Sequence, residues 1–327
     1  MLKLHVLGVG DAFTERYHNA CLCIEDPGSG LRLQIDCPPA FPRVLADHRA
    51  RTGSDLSAAN IDHLLLTHLH GDHCGGTEAF LYLRRFVLQK KPTLYGAAEV
   101  LSELWPTRLR GGMERLLLGA PEYSPEQIAA RFARSARTAD RAPEYSPEQI
   151  AARLARSAGA ASRAPETVDP GGAAPEPFID SPAREREMIE APGPLKQLGL
   201  LDYTDRVDLQ AGVTRLGPLL IERRFTRHHI PTTAIRVSLD RGPGRSRPLL
   251  GYSADTAFDP DLIAWLAEAE LIIHETNFGV HTPLASLLQL PAEVRARMRL
   301  IHYPDLLAPE TAPIECLREG QILQLGD

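Results

Sequence analysis

The sequence predicts an α+β protein whose buried strands present a metal site from their tips. Two observations carry this expectation. Short apolar runs that suit buried strands recur along the chain and end in polar loops, with helix-patterned segments between them. One of these runs, Leu64-Leu-Leu66, ends at Thr67 and is followed within six residues by His68, His70, Asp72 and His73. His68 and His70 can point the same way from an extended segment. Asp72 and His73 then lie past a turn that Gly71 would permit. Imidazole and carboxylate together suit zinc and related divalent metals.

The stretch His68-Leu-His70-Gly-Asp72-His73 resembles the H-x-H-x-D-H signature of the metallo-β-lactamase superfamily. The resemblance implies a four-layer αββα sandwich with the metal site at one edge of two facing sheets. It also implies two further histidines and an aspartate downstream. His228 opens His-x-Ile-Pro-Thr-x-Ala-Ile-Arg, which looks like the third-histidine segment of the tRNase Z branch; Asp255 in Ser-Ala-Asp-Thr is similar to the bridging aspartate; His302 matches the last metal histidine. The implied arrangement is one metal on His68, His70 and His228, a second on Asp72, His73 and His302, and Asp255 between them. His229 fits the pattern less well and reads as a partner of the site or an exposed neighbour.

Taking the elements in order, Leu2–Leu7 alternates as an edge strand does. The Gly8-Val-Gly10 that follows has no helix pattern behind it and is no phosphate loop. Residues 20–25 and 31–35 read as a hairpin around Asp26-Pro-Gly-Ser-Gly30. Asp36 then supports the metal ligands, as the resemblance implies, or initiates the helix expected over 41–49. A helix over 77–86, a short strand over 92–95 and a helix over 97–104 follow. Strands are expected at 219–225, 234–239, 248–252, 271–273, 300–301 and 321–325, with helices at 259–267 and 291–297.

The domain expectation is a core in two halves, 1–110 and 198–327, separated by an insertion at 111–197. Within the insertion, residues 142–153 repeat residues 120–131 letter for letter at a 22-residue step. Each copy begins a helix: Ser124 and Ser146 at the N-cap, Pro125 and Pro147 at the first helical position, Gln127 and Gln149 three after the cap. Two copies are too few for a solenoid. Arg131, Arg134, Arg137 and Arg141 read as a solvated face, and residues 159–182, rich in Pro, Gly and Ala, as a linker.

Bulk composition is that of a soluble globular chain: 327 residues, 43% hydrophobic, 24% charged, net charge −6. That charge gives no global reason to expect nucleic acid as a partner. The first strand begins at Leu2, which leaves no room for a signal peptide, and no apolar run is long enough for a membrane span, so a cytoplasmic setting is expected. Five cysteines, Cys21, Cys23, Cys37, Cys74 and Cys316, show no zinc-ribbon spacing; Cys74 either packs or lines the site.

The resemblance reaches further into the tRNase Z-like phosphodiesterases. Leu7-Gly-Val-Gly10, Asn19 and Ile35-Asp-Cys37 are similar to that branch's opening segments, and His274-Glu275-Thr with His281-Thr282 to its His-Glu and His-Ser/Thr pair. Asp72, Asp255, Glu275 and His281 are the catalytic candidates this implies. His281 would be a proton donor or phosphate contact, against the plainer reading of a surface histidine. The superfamily's oxygen-reducing diiron branch has glutamate where His70 stands, which favours hydrolysis. The implied cofactor is two divalent ions, Zn2+ foremost, with Mn2+ or Fe2+ as alternatives, holding a bridging hydroxide.

Three departures bear on the substrate. That branch continues its signature with Gly-Leu-Pro-Gly, and this chain has Cys74-Gly-Gly-Thr77. Its last histidine precedes Ser and Arg residues, and here Tyr303-Pro-Asp305 follow. The insertion is near neutral, whereas a tRNA-gripping arm should be basic. The expectation is therefore a phosphodiesterase on a small molecule or nucleotide. The alternatives are tRNA 3′ processing, lactone, thioester or amide hydrolysis, and a non-catalytic binding or assembly protein. A homodimer through the duplicated helices is the partner this last reading adds.

Overall fold

The computed structural model describes residues 1–117, 195–242 and 246–326. The chain divides into two compact units, Met1–Glu114 with Gln197–Asp327, and Arg115–Lys196. Strands β6 (Arg115–Leu117) and β7 (Leu195–Gln197), which but for Gln197 belong to the second unit, form a two-stranded sheet. The duplicated helices and the linker expected over 120–182 lie outside the described residues.

The first unit is a four-layer αββα sandwich, and its seven-stranded sheet begins as the hairpin pattern requires. Strands β2 (Cys21–Asp26) and β3 (Leu31–Ile35) pair antiparallel across a turn in which Asp26 accepts hydrogen bonds from the backbone of Gly28 and Ser29. Strand β1 (Leu2–Gly8) is not the edge strand expected: β15 (Ile322–Leu325) pairs outside it, a partner too distant in sequence for alternation to reveal. Beyond β3 the sheet turns parallel through β4 (His63–Leu65), β5 (Thr93–Gly96) and β8 (Asp205–Asp208). The second sheet runs β14 (Met298–Ile301), β13 (Leu271–Glu275), β12 (Pro248–Tyr252), β11 (Thr233–Leu239), β10 (Leu219–Phe225), β9 (Val213–Leu216).

Alternation sorts each strand between two faces. Leu2, Leu4 and Val6 of β1, Leu22 and Ile24 of β2, and Leu33 and Ile35 of β3 enter the core shared with Ile235, Leu250, Ile273 and Leu300 of the other sheet. Each such side chain removed from water contributes roughly 1.5–3 kcal/mol. On the opposite face of the first sheet, His5 and Cys23 are buried, and helix α1 (Phe41–Thr52) lays His48 against His5.

The parallel pairings position the site. Strands β3, β4 and β5 run together, as do β12, β13 and β14, so their C-terminal ends gather at one edge of the sandwich. There the N–H of Thr233 donates to the carbonyl of Thr67 at 3.0 Å and ties the two sheets together. Among the described residues no helix is long and apolar enough to cross a membrane.

Candidate metal centre

The signature leaves β4 and becomes one turn of helix, α2 (Gly71–Cys74), instead of a glycine-dependent turn. A Cβ on Gly71 would meet nothing, and its backbone is not left-handed, so Gly71 is not sterically required. The glycine that is required is Gly76, where a Cβ would lie 2.1 Å from the carbonyl oxygen of Pro38. The N–H of Gly76 donates to the carbonyl of Cys37 and that of Cys37 to the carbonyl of His73, clamping the helix turn onto the segment after β3.

That segment carries Asp36, whose role the structure resolves. Its carboxylate accepts from the Thr67 N–H (2.8 Å) and hydroxyl (2.8 Å), and His73 Nδ1 lies 2.9 Å away. Helix α1 starts five residues later behind Ala40, with no side-chain cap, so Asp36 does not initiate it. Thr67 Oγ1 also lies 3.0 Å from His68 Nδ1. With its proton given to Asp36, that hydroxyl accepts from His68, which leaves His68 Nε2 as a lone pair facing the site. Thr67 was not anticipated, since a threonine beside a ligand carries no pattern of its own.

The remaining members arrive from the second sheet. His228 stands after β10, Asp255 after β12 and His302 after β14. Three non-glycine residues with left-handed backbone follow strands that end at the site: Asp36 (φ 60) after β3, Ala254 (φ 49) after β12 and His302 (φ 52) after β14. Such conformations cost on the order of 1–3 kcal/mol each and persist where the surroundings fix them.

Two donor groups result. His68, His70, His228 and Asp255 form one, and Asp72, His73 and His302 the other; Asp255, His281 and His302 also converge. His70 Nδ1 lies 3.1 Å from His68 Nε2 and 3.3 Å from His228 Nε2. His302 Nε2 and His73 Nε2 lie 3.2 and 3.3 Å from Asp72 Oδ2. Asp255 faces both groups: Oδ1 is 3.4 Å from His73 Nε2, while Oδ2 is 3.6 Å from His68 Nε2 and 3.7 Å from His302 Nε2. His73 Nε2 and Asp255 Oδ1 are buried without a hydrogen-bond partner, as ligand atoms facing a cation would be. His229 is exposed, with Nε2 3.0 Å from His70 Nε2. Cys74 is buried, belongs to no donor group among the described residues, and has its thiol pushed up to about 11 by burial.

Charge divides the two groups. Burial pushes His68 well below the ordinary histidine value, lowers His70, and holds His228 near 4, so all three imidazoles are neutral and able to ligate. Burial acts the same way on His73 and His302, but carboxylates outweigh it. Asp255, Asp72 and Asp36 hold His73 well above the ordinary value, and Asp255 and Asp72 raise His302 to about 8. Asp72 stays ionised despite its burial, because His73 and His302 lower it. The field at this edge favours positive charge.

Glu275 and His281 lie beside Asp255. Strand β13 runs two residues past its expected end, so Glu275 is strand-borne and fully buried; it accepts from the Thr256 N–H at 2.8 Å and lies 3.0 Å from His281 Nδ1. His281 is therefore not a plain surface histidine. Burial lowers its pKa, but Glu275 and then Asp255 raise it overall. His274 is buried and bonds its neighbour's carbonyl.

The fold and this histidine–aspartate edge define a metal-dependent hydrolase of the metallo-β-lactamase fold, with donor groups able to hold divalent metal. Solved structures agree on the fold: the metallo-β-lactamase fold protein YhfI of Bacillus subtilis superposes with a TM-score of 0.58 at 14% identity over 99% of each chain. Human tRNase Z, short form, gives 0.54 at 15% identity over 99% of this chain and 100% of that one. The chain belongs to the family described as Anti-Pycsar protein Apyc1, whose model matches residues 2–132 and 197–321. A curated relative of that name from Paenibacillus sp. (strain J14) is 26% identical over 339 residues, covering 99% of this chain and 99% of its own.

Proposed function

We propose that the chain is a dinuclear metal-dependent phosphodiesterase acting on a small nucleotide. The observation that carries this reading is the Asp255 carboxylate, which turns one oxygen to His73 and the other to His68. An aspartate so placed can serve two ions at once. His68, His70 and His228 would hold one ion, Asp72, His73 and His302 the other; the all-nitrogen and oxygen set favours Zn2+. Two such ions supply a nucleophile at neutral pH and stabilise charge developing on phosphoryl oxygens.

The chain's own groups supply the rest. Asp36 and Thr67 fix the tautomers of His73 and His68. Glu275 takes His281 Nδ1 and turns Nε2 outward as a proton donor to the departing alkoxide, or as a contact to a phosphate oxygen. The smallest nucleotide phosphodiester is one closed within a single nucleotide, and we take a cyclic mononucleotide as the substrate class. The relatives' name, Anti-Pycsar protein, supports an activity directed against a Pycsar system.

The test is metal content by elemental analysis with turnover of bis-p-nitrophenyl phosphate and of 3′,5′-cyclic mononucleotides, on wild type and Asp255→Asn. Close to two ions per wild-type chain are expected, with turnover lowered by a factor on the order of a hundred or more in the variant. A single ion with unchanged turnover in Asp255→Asn sinks the dinuclear reading. Two ions without diester turnover sink the phosphodiesterase reading and move the weight to lactone or thioester substrates.

A further inference from the structure

A cavity of about 210 Å³ is lined by Leu69, Glu99, Val100, Glu103, Arg108, Ile230 and neighbouring residues. None of its lining residues is a metal-donor residue, but two of them neighbour donor residues along the chain. Leu69 stands between His68 and His70, and Ile230 follows His228 and His229 directly. The facing wall is helix α3 (Ala98–Leu104), which continues into a π-helical turn, Trp105–Leu109. Pro106 within that turn has no N–H to give the α-helical ladder, which accounts for the break. Turns of this kind concentrate at functional sites, and this one delivers Arg108 to the cavity rim.

The lining has two chemistries. Leu69 and Val100 are buried and Ile230 half-buried, so the floor and sides are apolar. The rim carries exposed Glu99 and Glu103, which accept hydrogen bonds, and exposed Arg108, which only donates. Among the described residues Arg108 has no hydrogen-bonding or ion-pair partner. A planar ring with apolar faces, and an edge bearing both carbonyl oxygens and N–H groups, satisfies both chemistries together. At this volume the cavity is below the range of sites for drug-sized ligands, a size that suits a single base and not a polymer.

We infer that this cavity holds the nucleobase of the substrate, its faces against Leu69, Val100 and Ile230 and its edge read by Arg108 and Glu103. The inference rests on the phosphodiesterase reading above and adds where specificity resides.

The experiment compares kcat/KM for cyclic CMP with that for methyl p-nitrophenyl phosphate, a diester with no base, in wild type, Arg108→Ala and Thr107→Trp. Both substitutions fall on exposed helix surface, and the second fills the cavity mouth. The ratio of the two constants should fall about tenfold or more in each variant, through KM for the nucleotide. An unchanged ratio overturns the nucleobase subsite and leaves the phosphodiesterase reading standing. Failure of the metal-loaded wild type on both compounds overturns that reading and this inference with it.

Discussion

Two buried histidine pairs sit in this unit, and their pKa values move in opposite directions. Between β1 and α1, His5 Nδ1 lies 3.1 Å from His48 Nε2, and burial lowers the pKa of both, His48 to about 4. At the strand tips, His73 and His302 are as deeply buried, yet both are raised. A carboxylate is present in each case, since Glu25 lies 3.0 Å from His5. The difference is number. One carboxylate, itself shared with Lys3 and Arg32, does not offset desolvation, whereas Asp36, Asp72 and Asp255 together do. Burial makes a histidine neutral; converging carboxylates make its surroundings a cation site.

The largest effect on turnover is expected where a site histidine works through its carboxylate. In His281→Gln the Glu275 contact can be kept by the amide, but the proton at Nε2 is gone. kcat should fall by a factor on the order of 10² to 10⁴ if His281 donates that proton, with metal content unchanged by elemental analysis. A p-nitrophenolate leaving group, which needs no proton, should be affected far less than a nucleotide alkoxide. Equal loss on both substrates would show that His281 binds phosphate instead.

A smaller effect should follow from weakening the carboxylate set without touching a donor atom. Asp36→Asn keeps the shape that Thr67 and His73 pack against but removes a charge and offers His73 Nδ1 an amide. Metal affinity should fall by about 10- to 100-fold, read by competition with a chromogenic chelator, and turnover should recover at high zinc. Unchanged affinity would mean that Asp72 and Asp255 alone make the cation site.

How far this centre could be read from the chain depended on how local each part is. The signature and its strand are one continuous segment, so its four donor residues announced themselves by spacing. Asp255, His228 and His302 were legible through the family resemblance, with each placed at the end of an expected strand; the convergence of Asp255 and His302 required the parallel pairing of β12, β13 and β14, which no local pattern states. Strand β8 was missed because Asp205-Arg-Val-Asp208 is a half-buried, charged sheet edge with a single apolar residue. The four-residue helix α2 is too short to show a period. Thr67 and the cavity residues Glu99 and Arg108 were invisible for another reason. Thr67 acts through Asp36, which only the fold brings near, and Glu99 and Arg108 stand among ordinary helix residues.

The smallest effect on activity, and the sharpest check of the comparison, comes from the cluster without enough carboxylates. Burial first, and His5 next, hold His48 at about 4 against 6.5 when unfolded. Between those values the unfolded chain binds a proton that the folded chain refuses, so stability falls as pH drops below 6.5 and levels off near 4. The shift corresponds to a loss of about 3 kcal/mol from this group. Urea unfolding of wild type at pH 7.5 and 5 should show the decline, and His48→Gln should show a shallower one. Turnover at pH 7.5 should be the same in both, because His48 packs on the sheet face away from the inter-sheet core and the strand tips. An identical pH slope in the variant would mean that burial does not neutralise this pair, and the contrast with His73 and His302 would then lose its reference point.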